Sequence, residues 1–200
     1  MFVITSDQRS SRSTPSESAA AIAALTEAWA EQLVLPAERS AGDEIQLVTA
    51  SADAALGIIL QLTRTKRWSV GLGVGKVDLS HDVRESTGDA FVAARGAVSR
   101  AKKRVTHFGL EREPESTRAA HVESLVDLLL LLRQRRTRLG WELYDIVSNG
   151  ATQTSAAEIL GITAQSVSDR AIAAGLRTEE AATVALASLI DMLDTEAADR

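Results

Sequence analysis

The sequence predicts an α+β fold, with a sheet domain over residues 1–115 followed by an all-α domain over residues 116–200 that contains a helix-turn-helix. In the first part, the predicted order is strand, helix, hairpin, helix, strand, helix, strand. This order lacks the strict alternation of a doubly wound fold and favours a sheet with helices packed on one face. After the polar, proline-containing linker 111–117, the pattern is helical throughout.

Composition limits the classes of function. The chain has 200 residues, no cysteine and a net charge of −5. The lack of cysteine excludes disulfides and thiolate metal sites and favours the cytoplasm. The N-terminus lacks the apolar run of a signal peptide, and the longest apolar run, 128–132, is too short for a membrane span. We therefore expect a soluble, cytoplasmic protein with no membrane partner.

The elements of the first domain follow from local signals. We predict strands at 2–5, 44–49, 68–74 and 105–110 and helices at 14–35, 51–64 and 88–104, with a hairpin turn at 41–43. Thr14, Pro15 and Glu17 form a capping box for the first helix, and Pro36 should stop that helix. Glycines at 71, 73 and 75 interrupt an apolar strand, which indicates that another backbone approaches closely there.

The second domain contains the strongest local motif. Predicted helices cover 118–138, 141–148, 155–160, 164–174 and 178–193, and the helix-turn-helix spans 152–174. A helix-turn-helix needs a small residue where its helices cross, a glycine at the turn and an apolar residue in the second helix. Ala157, Gly161 and Val167 occupy these places, with Ile159, Leu160 and Ile162 expected to complete the small core and Thr152 or Thr154 and Thr163 to cap the helices.

Double-stranded DNA is the partner that this motif predicts. The residues expected to contact it are Gln153, Thr163, Gln165, Ser166, Ser168, Asp169 and Arg170. Gln165 could recognise adenine and Asp169 could accept a hydrogen bond from cytosine. The alternatives are a helical hairpin used for packing and a helix-turn-helix that binds protein.

The charge balance bears on how strongly the motif can bind DNA. After residue 115, the chain has 8 basic and 12 acidic residues. Because phosphate neutralisation supplies much of DNA affinity, one copy should bind weakly and need a homodimer or a local basic cluster. The cluster Arg133, Arg135, Arg136 and Arg138 could serve, or it could be a solvated helix end. The leucine-rich helix 118–138 is the candidate for the dimer contact.

Two carboxylates at predicted strand ends, Asp7 and Asp43, form a second constellation. If the first strand lies beside the hairpin, both side chains can converge at one edge of the sheet and hold Mg²⁺, which takes a few carboxylate oxygens and completes its shell with phosphates and water. The alternative is structural, with Asp43 supporting a Gly-Asp turn and Asp7 ending a strand.

Five segments resemble, in order, the SatD family of bacterial proteins over nearly the full length: VITSDQRSSR, AGDEIQLV, WSVGLGVGKV, TGDAFVAARGAVSRAKK and TQTSAAEILGITAQSVSDR. The first four also look like the landmarks of class III nucleotide cyclases, and the last looks like the DNA-binding region of sigma factors. The resemblance implies a ferredoxin-like, nucleotide cyclase-like sheet domain in a homodimer.

The resemblance also assigns roles to residues. It implies that Asp7 and Asp43 are metal ligands, that Arg95 matches a transition-state arginine, and that Arg39 lies near a base-selecting lysine. Where cyclases have an asparagine, this chain has Phe91, which favours binding without cyclisation. We expect a DNA-binding transcription regulator that senses a purine nucleotide with Mg²⁺. The rivals are an active cyclase or nucleotide hydrolase, and a regulator whose first domain is only a dimerisation scaffold.

Overall fold

A computed structural model describes residues 1–9, 17–40 and 42–198. Its strands are β1 Phe2–Gln8, β2 Leu33–Arg39, β3 Ile45–Thr49, β4 Trp68–Val74 and β5 Phe108–Arg112. Its helices are α1 Ser18–Trp29, α2 Ala52–Arg64, α3 Asp89–Ala101, α4 Thr117–Gln134, α5 Arg138–Ser148, α6 Gln153–Leu160, α7 Ala164–Ala173 and α8 Leu176–Ala198.

The five strands form one mixed sheet in the order β2-β3-β1-β4-β5. β1 lies at the centre, antiparallel to β3 on one side and to β4 on the other, and β5 runs parallel to β4 at the edge. The order β4-β1-β3-β2, built from a β-α-β-β-α-β chain, is the ferredoxin-like arrangement. The predicted α+β fold, with a sheet followed by helices, is confirmed.

Helices cover both faces of this sheet, so the expectation of one covered face was wrong. On one face, Phe2 and Ile4 pack in a large core with α1, α2, α4 and α8. On the other face, Val3 packs with Phe91 and Ala94 of α3. The physical reason lies in β1, whose apolar side chains point alternately to both sides, as in strands that are buried on both faces.

Helix α3 lies unusually close to the sheet because glycines face it. A Cβ atom placed on Gly73 would lie 2.0 Å from the carbonyl oxygen of Ala90, and one on Gly71 would lie 2.3 Å from the amide nitrogen of Val98. On β5, a Cβ on Gly109 would lie 2.4 Å from the Ala97 oxygen. The close backbone approach predicted from the glycine strand is therefore confirmed.

The first helix is shorter than predicted. α1 ends at Trp29, a 3₁₀ turn covers Ala30–Gln32, and the chain then becomes β2, which contains Pro36. Pro36 lies within the second of two register shifts on an edge strand, where its missing N–H removes no regular ladder bond. The predicted cap residues Thr14 and Pro15 lie outside the described residues.

The helices after residue 115 belong to two different cores. Val126 of α4 and Ile190 of α8 are buried in the large core beneath the sheet. Helices α5, α6 and α7 enclose a separate small core around Leu143 and Val167. The helix-turn-helix is thus flanked in the chain by two helices that pack with the sheet. Within the described part of the chain, no helix combines the length and apolar character needed to cross a bilayer.

The contact between α3 and the glycines of β4 predicts a large packing penalty. In Gly73→Ala, the added methyl group must displace the backbone of α3, and we expect a loss of about 3 kcal/mol or more in the free energy of unfolding. Gly42→Ala is the control: it meets no atom within 4 Å but has a φ of +61°, which costs roughly 1–2 kcal/mol. Urea denaturation measures both, and equal losses would contradict the packing argument.

Candidate functional site

A three-residue turn, 161–163, joins helices α6 and α7, as in a helix-turn-helix. Gly161 ends α6 in the left-handed conformation, with φ 63° and ψ 33°. Ala157 on α6 and Val167 on α7 are both buried, against Leu143 of α5. The burial of Ala157 and Val167 and the turn at Gly161 therefore agree with the prediction from the sequence. Ile159 departs from the prediction because its side chain is 62% exposed and lies outside the small core.

Threonine caps fix where both helices begin. The hydroxyl of Thr152 accepts a hydrogen bond from the Ser155 amide at 3.1 Å, and that of Thr163 accepts one from the Ser166 amide at 3.1 Å. Each cap satisfies an amide that would otherwise lack a partner at the helix start. Thr163 is thus a structural cap, and its hydroxyl also lies 2.9 Å from the Ser166 hydroxyl.

One stripe of α7 is turned away from the small core. Gln165, Asp169 and Ile172 are exposed on it, and Ser168 is half-buried. The side-chain amide of Gln165 donates to the Asp169 carboxylate at 2.9 Å, which orders the two side chains relative to each other. The apolar side chain of Ile172 is 74% exposed. The stripe therefore offers hydrogen-bonding groups and one apolar contact to a partner.

The other residues predicted to contact DNA differ in what they present. Gln153 and Ser166 are exposed at the starts of α6 and α7. Arg170 is half-buried and lies 3.5 Å from the Glu142 carboxylate on α5. The positive charge of Arg170 is therefore partly compensated by Glu142 within the helix-turn-helix unit. Residues 138–175 contain two arginines and four carboxylates, so the unit itself is acidic.

Two residues of the proposed basic cluster, Arg133 and Arg136, are buried. Their side chains are 5% and 0% exposed, and both bind the Glu179 carboxylate. Arg133 also donates to the Leu60 oxygen of α2 at 3.2 Å, and Arg136 donates to the Ala174 oxygen at 3.0 and 3.1 Å. They are neither DNA contacts nor a solvated helix end, because the chain folds helices α2, α7 and α8 around them. Arg135 and Arg138 remain exposed.

The Trp141 ring lies at the centre of this arginine cluster. The guanidinium carbons of Arg64, Arg136 and Arg133 lie 4.4, 4.5 and 4.9 Å from its centroid. Arg64 is bound to Asp145 through two hydrogen bonds of 2.6 and 2.8 Å. Burial, and then the neighbouring charge of Arg133, lower the pKa of Arg136 to about 10. The shift reflects the burial of this guanidinium first and the nearby positive charge second.

The two predicted metal ligands lie at the same end of adjacent strands. Ser6 of β1 pairs with Ile45 of β3, and continuing this register places Gln8 opposite Asp43. On this register Asp7 and Asp43 would point to opposite faces of the sheet, so the convergence of both side chains on one Mg²⁺ ion stays a prediction. Their side chains have different surroundings: Asp7 forms an ion pair with Lys102 at the end of α3, whereas the Oδ2 atom of Asp43 is buried without a hydrogen-bond partner.

This edge fits a cation only in part. The unpartnered oxygen of Asp43 could be a ligand of a cation. Asp7, in contrast, already binds the ammonium group of Lys102. Within residues 1–9, 17–40 and 42–198, no three His, Cys, Asp or Glu side chains are grouped so as to hold a metal ion. Mg²⁺ can bind through one or two carboxylates when phosphate oxygens and water complete its shell. The residues present therefore suit a cation that arrives with a phosphate ligand.

The two predicted nucleotide-binding arginines lie in separate places. Arg95 is exposed on α3 and lines a cleft of about 260 Å³, which also includes Ser40 and Gln46. It lies seven residues, or about 10 Å along the helix, from Lys102. Arg39 instead donates to the Ser18 hydroxyl at 2.5 Å, at the start of α1. The structure thus places Arg95, but not Arg39, beside this cleft.

Phe91, which the sequence comparison matched to a cyclase asparagine, has a structural role. Its side chain is 5% exposed and packs with Val3 and Val48 in the core between α3 and the sheet. An amide at this position would be buried among apolar side chains, where a polar group without a partner is costly. Phe91 is therefore part of the apolar core in this chain.

Sequence reasoning did not single out Arg64, Trp141 and Glu179. The run of arginines at 133–138 was the only visible signal of the cluster, and its meaning depends on partners far away in the sequence. Glu179 lies 46 residues from Arg133 and 43 from Arg136.

The cluster predicts a strong dependence of stability on one carboxylate. Glu179→Gln keeps the shape of the side chain but leaves two buried guanidinium groups without their counter-charge. We expect a loss of about 3–5 kcal/mol in the free energy of unfolding, measured by urea denaturation. The neighbouring Glu180→Gln, an exposed position, should change it by less than about 0.5 kcal/mol. Similar values for the two variants would contradict a central role for Glu179.

The chain matches no protein-family model, no curated protein and no solved structure. What it does must therefore be inferred from its own residues and their geometry.

Proposed function

We propose that the protein is a DNA-binding transcription regulator that acts in the cytoplasm and contacts duplex DNA with α7. The observation that carries this proposal is the α6–Gly161–α7 unit, with both helices capped and the α7 stripe left exposed. The exposed stripe leaves Gln165, Asp169 and Ile172 accessible to a partner.

The stripe suits direct recognition of bases in the major groove. An amide such as that of Gln165 can donate to and accept from adenine, and a carboxylate such as that of Asp169 can accept from cytosine. Ile172, one turn further along, offers apolar contact to a thymine methyl group. Gln153, Ser166 and the amides at the start of α7 lie where helix-turn-helix proteins contact phosphates.

The acidic balance of the unit requires a second copy. With two arginines against four carboxylates in residues 138–175, one unit neutralises few phosphates, and two units on one duplex would raise the affinity. We assign the dimer contact to α4, where Leu125, Leu128 and Leu131 are 44%, 63% and 36% exposed in a single row. A homodimer would place two copies of α7 on half-sites about one helical turn apart.

The sheet domain is proposed to bind a regulatory ligand, a purine nucleotide with Mg²⁺. Two observations favour this: Arg95 lines a cleft of about 260 Å³, and the Asp43 carboxylate has a buried oxygen without a partner. The cleft is smaller than the 300–1,000 Å³ typical of ligand sites, which agrees with a site completed by a second subunit. The resemblance to the SatD and cyclase families supports the same assignment, and the buried Phe91 favours binding over cyclisation.

DNA binding is tested by selecting preferred sequences from a random duplex library. We expect two half-sites about 10 base pairs apart. Gln165→Ala should weaken binding to the selected duplex by roughly 1–3 kcal/mol, or about 5–150-fold, and relax the preference at one base of each half-site. Fluorescence anisotropy at fixed salt measures both effects.

The matched control is Gln32→Ala, which removes an exposed glutamine far from the helix-turn-helix in the sequence. This variant should bind as the unchanged protein does. If selection yields no preferred sequence, or if both variants bind equally well, then α7 does not recognise bases.

Ligand binding to the sheet domain is tested by thermal shift with ATP or GTP and Mg²⁺. At 100 times the Kd, a nucleotide stabilises the folded state by about 2.7 kcal/mol. For a chain of this size, that corresponds to a rise of roughly 5–10 °C in Tm. Asp43→Asn should abolish the rise because it removes the charge of the unpartnered carboxylate.

Asp191→Asn, an exposed carboxylate on α8, is the control and should keep the full rise in Tm. If the nucleotide still raises the Tm of Asp43→Asn, the nucleotide site does not include the Asp43 carboxylate. No rise with any nucleotide would leave the sheet domain as a scaffold for the dimer, and formation of a cyclic or hydrolysed product would favour an enzyme instead.

A further inference from the structure

A second, smaller cavity lies where the sheet core meets the helix-turn-helix unit. It has a volume of about 130 Å³ and is lined by four cationic side chains, Arg64, Lys66, Arg133 and Arg136, with Trp141 as part of its wall. Arg64 and Lys66 are exposed at its rim, whereas Arg133 and Arg136 are buried beneath it. The cavity is distinct from the cleft beside Arg95, with which it shares no lining residue.

The charges around this cavity do not balance. Asp145 pairs with Arg64, and Glu179 is shared between Arg133 and Arg136. The Lys66 ammonium has no carboxylate within ion-pair distance in the described residues. Two of the four positive charges are therefore without a counter-charge at a partly buried place, where electrostatic interactions are less screened than in water. The lowered pKa of Arg136 agrees with this excess.

One hydrogen-bond donor at the cavity has no acceptor. Arg136 uses its Nε and Nη2 atoms on Ala174 and Glu179, but its Nη1 atom is buried without a partner, on a side chain that is 0% exposed. Buried polar groups are nearly always hydrogen-bonded in native proteins, so an unsatisfied guanidinium donor needs an explanation. A bound anion supplies both the missing acceptor and the missing negative charge.

We propose that this cavity binds a phosphate group, either as the free ion or as the end of a small phosphorylated metabolite. Arg64 and Lys66 would contact it from the rim, and the Nη1 atom of Arg136 would donate a hydrogen bond to it from below. The volume is well under the 300–1,000 Å³ of sites that enclose drug-sized ligands, so a whole nucleotide does not fit inside. Duplex DNA is a poor candidate because its phosphates are held on a bulky double helix that cannot enter a cavity of about 130 Å³ to reach Arg136.

The position of the site gives it a regulatory meaning. Arg64 ends α2 of the sheet core, and Trp141 belongs to α5 of the helix-turn-helix unit. A phosphate held between them would favour the arrangement in which α2, α4 and α5 lie together, because a ligand stabilises the conformation to which it binds. The binding site itself does not depend on whether α7 contacts DNA.

The test follows the indole N–H signals of the three tryptophans, Trp29, Trp68 and Trp141, by ¹⁵N–¹H NMR while inorganic phosphate is added. Trp141→Phe assigns the signal beside the cavity. We expect the Trp141 signal to move saturably with phosphate and not with chloride at equal ionic strength, while the other two stay in place. Lys66→Gln should weaken binding about tenfold because it removes one unit charge near the anion.

Lys103→Gln is the matched control, an exposed lysine on a different part of the surface, and it should bind phosphate as the unchanged protein does. Tighter binding of glycerol 3-phosphate than of phosphate would identify a metabolite as the ligand, and the reverse would identify the free ion. The proposal is overturned if no saturable shift appears at tens of millimolar phosphate, if Lys66→Gln binds unchanged, or if duplex DNA shifts Trp141 and phosphate does not.

Discussion

The carboxylate of Glu179 lies between two buried guanidinium groups, and the relation between the two halves of the molecule depends on it. Arg133 connects this carboxylate to the backbone of α2, and Arg136 connects it to the end of α7. Burying three charges is favourable only while their geometry is kept, since a lost partner leaves an uncompensated charge. The cluster therefore ties the helix-turn-helix unit to the sheet core in one defined position.

This connection changes how a signal from the sheet domain would reach DNA. If a flexible linker joined the two parts, a ligand on one would hardly affect the other. Here the same side chains contact α2, α5 and α8, so a change in the packing of any of these helices alters the support of α7. Coupling of this kind requires an element with two arrangements that both sites favour differently. The arginine cluster at Trp141 is the place in this chain where such an element would lie.

Local sequence patterns predicted the helix-turn-helix. The features that they did not predict depend on contacts between residues far apart in the sequence. Ala157, Gly161 and Val167 are fixed by contacts within a few residues, so their spacing suffices. The burial of Arg133 depends on Leu60, 73 residues away, and a run of arginines gives no sign of it. Likewise, helical periodicity continued past residue 30, but pairing with β3 turns Leu33–Arg39 into a strand. The order of elements predicted an α+β sheet, whereas the ferredoxin-like strand order was expected only from the resemblance to the cyclases.

The helices α5–α7 form their own core between α4 and α8, which both pack with the sheet, and this arrangement affects the order of folding during synthesis. The core beneath the sheet contains residues from both ends of the chain: Phe2 and Ile4 of β1, and Leu186, Ile190 and Leu193 of α8. Because α8 is synthesised last, this core cannot be completed until long after β1 has been made. The three helices α5–α7 close their own small core over a short stretch of chain. Contacts that are close in sequence form faster than distant ones. We expect the helix-turn-helix to fold soon after it leaves the ribosome. The sheet would keep part of its apolar face exposed, and accessible to chaperones, until α8 has been synthesised.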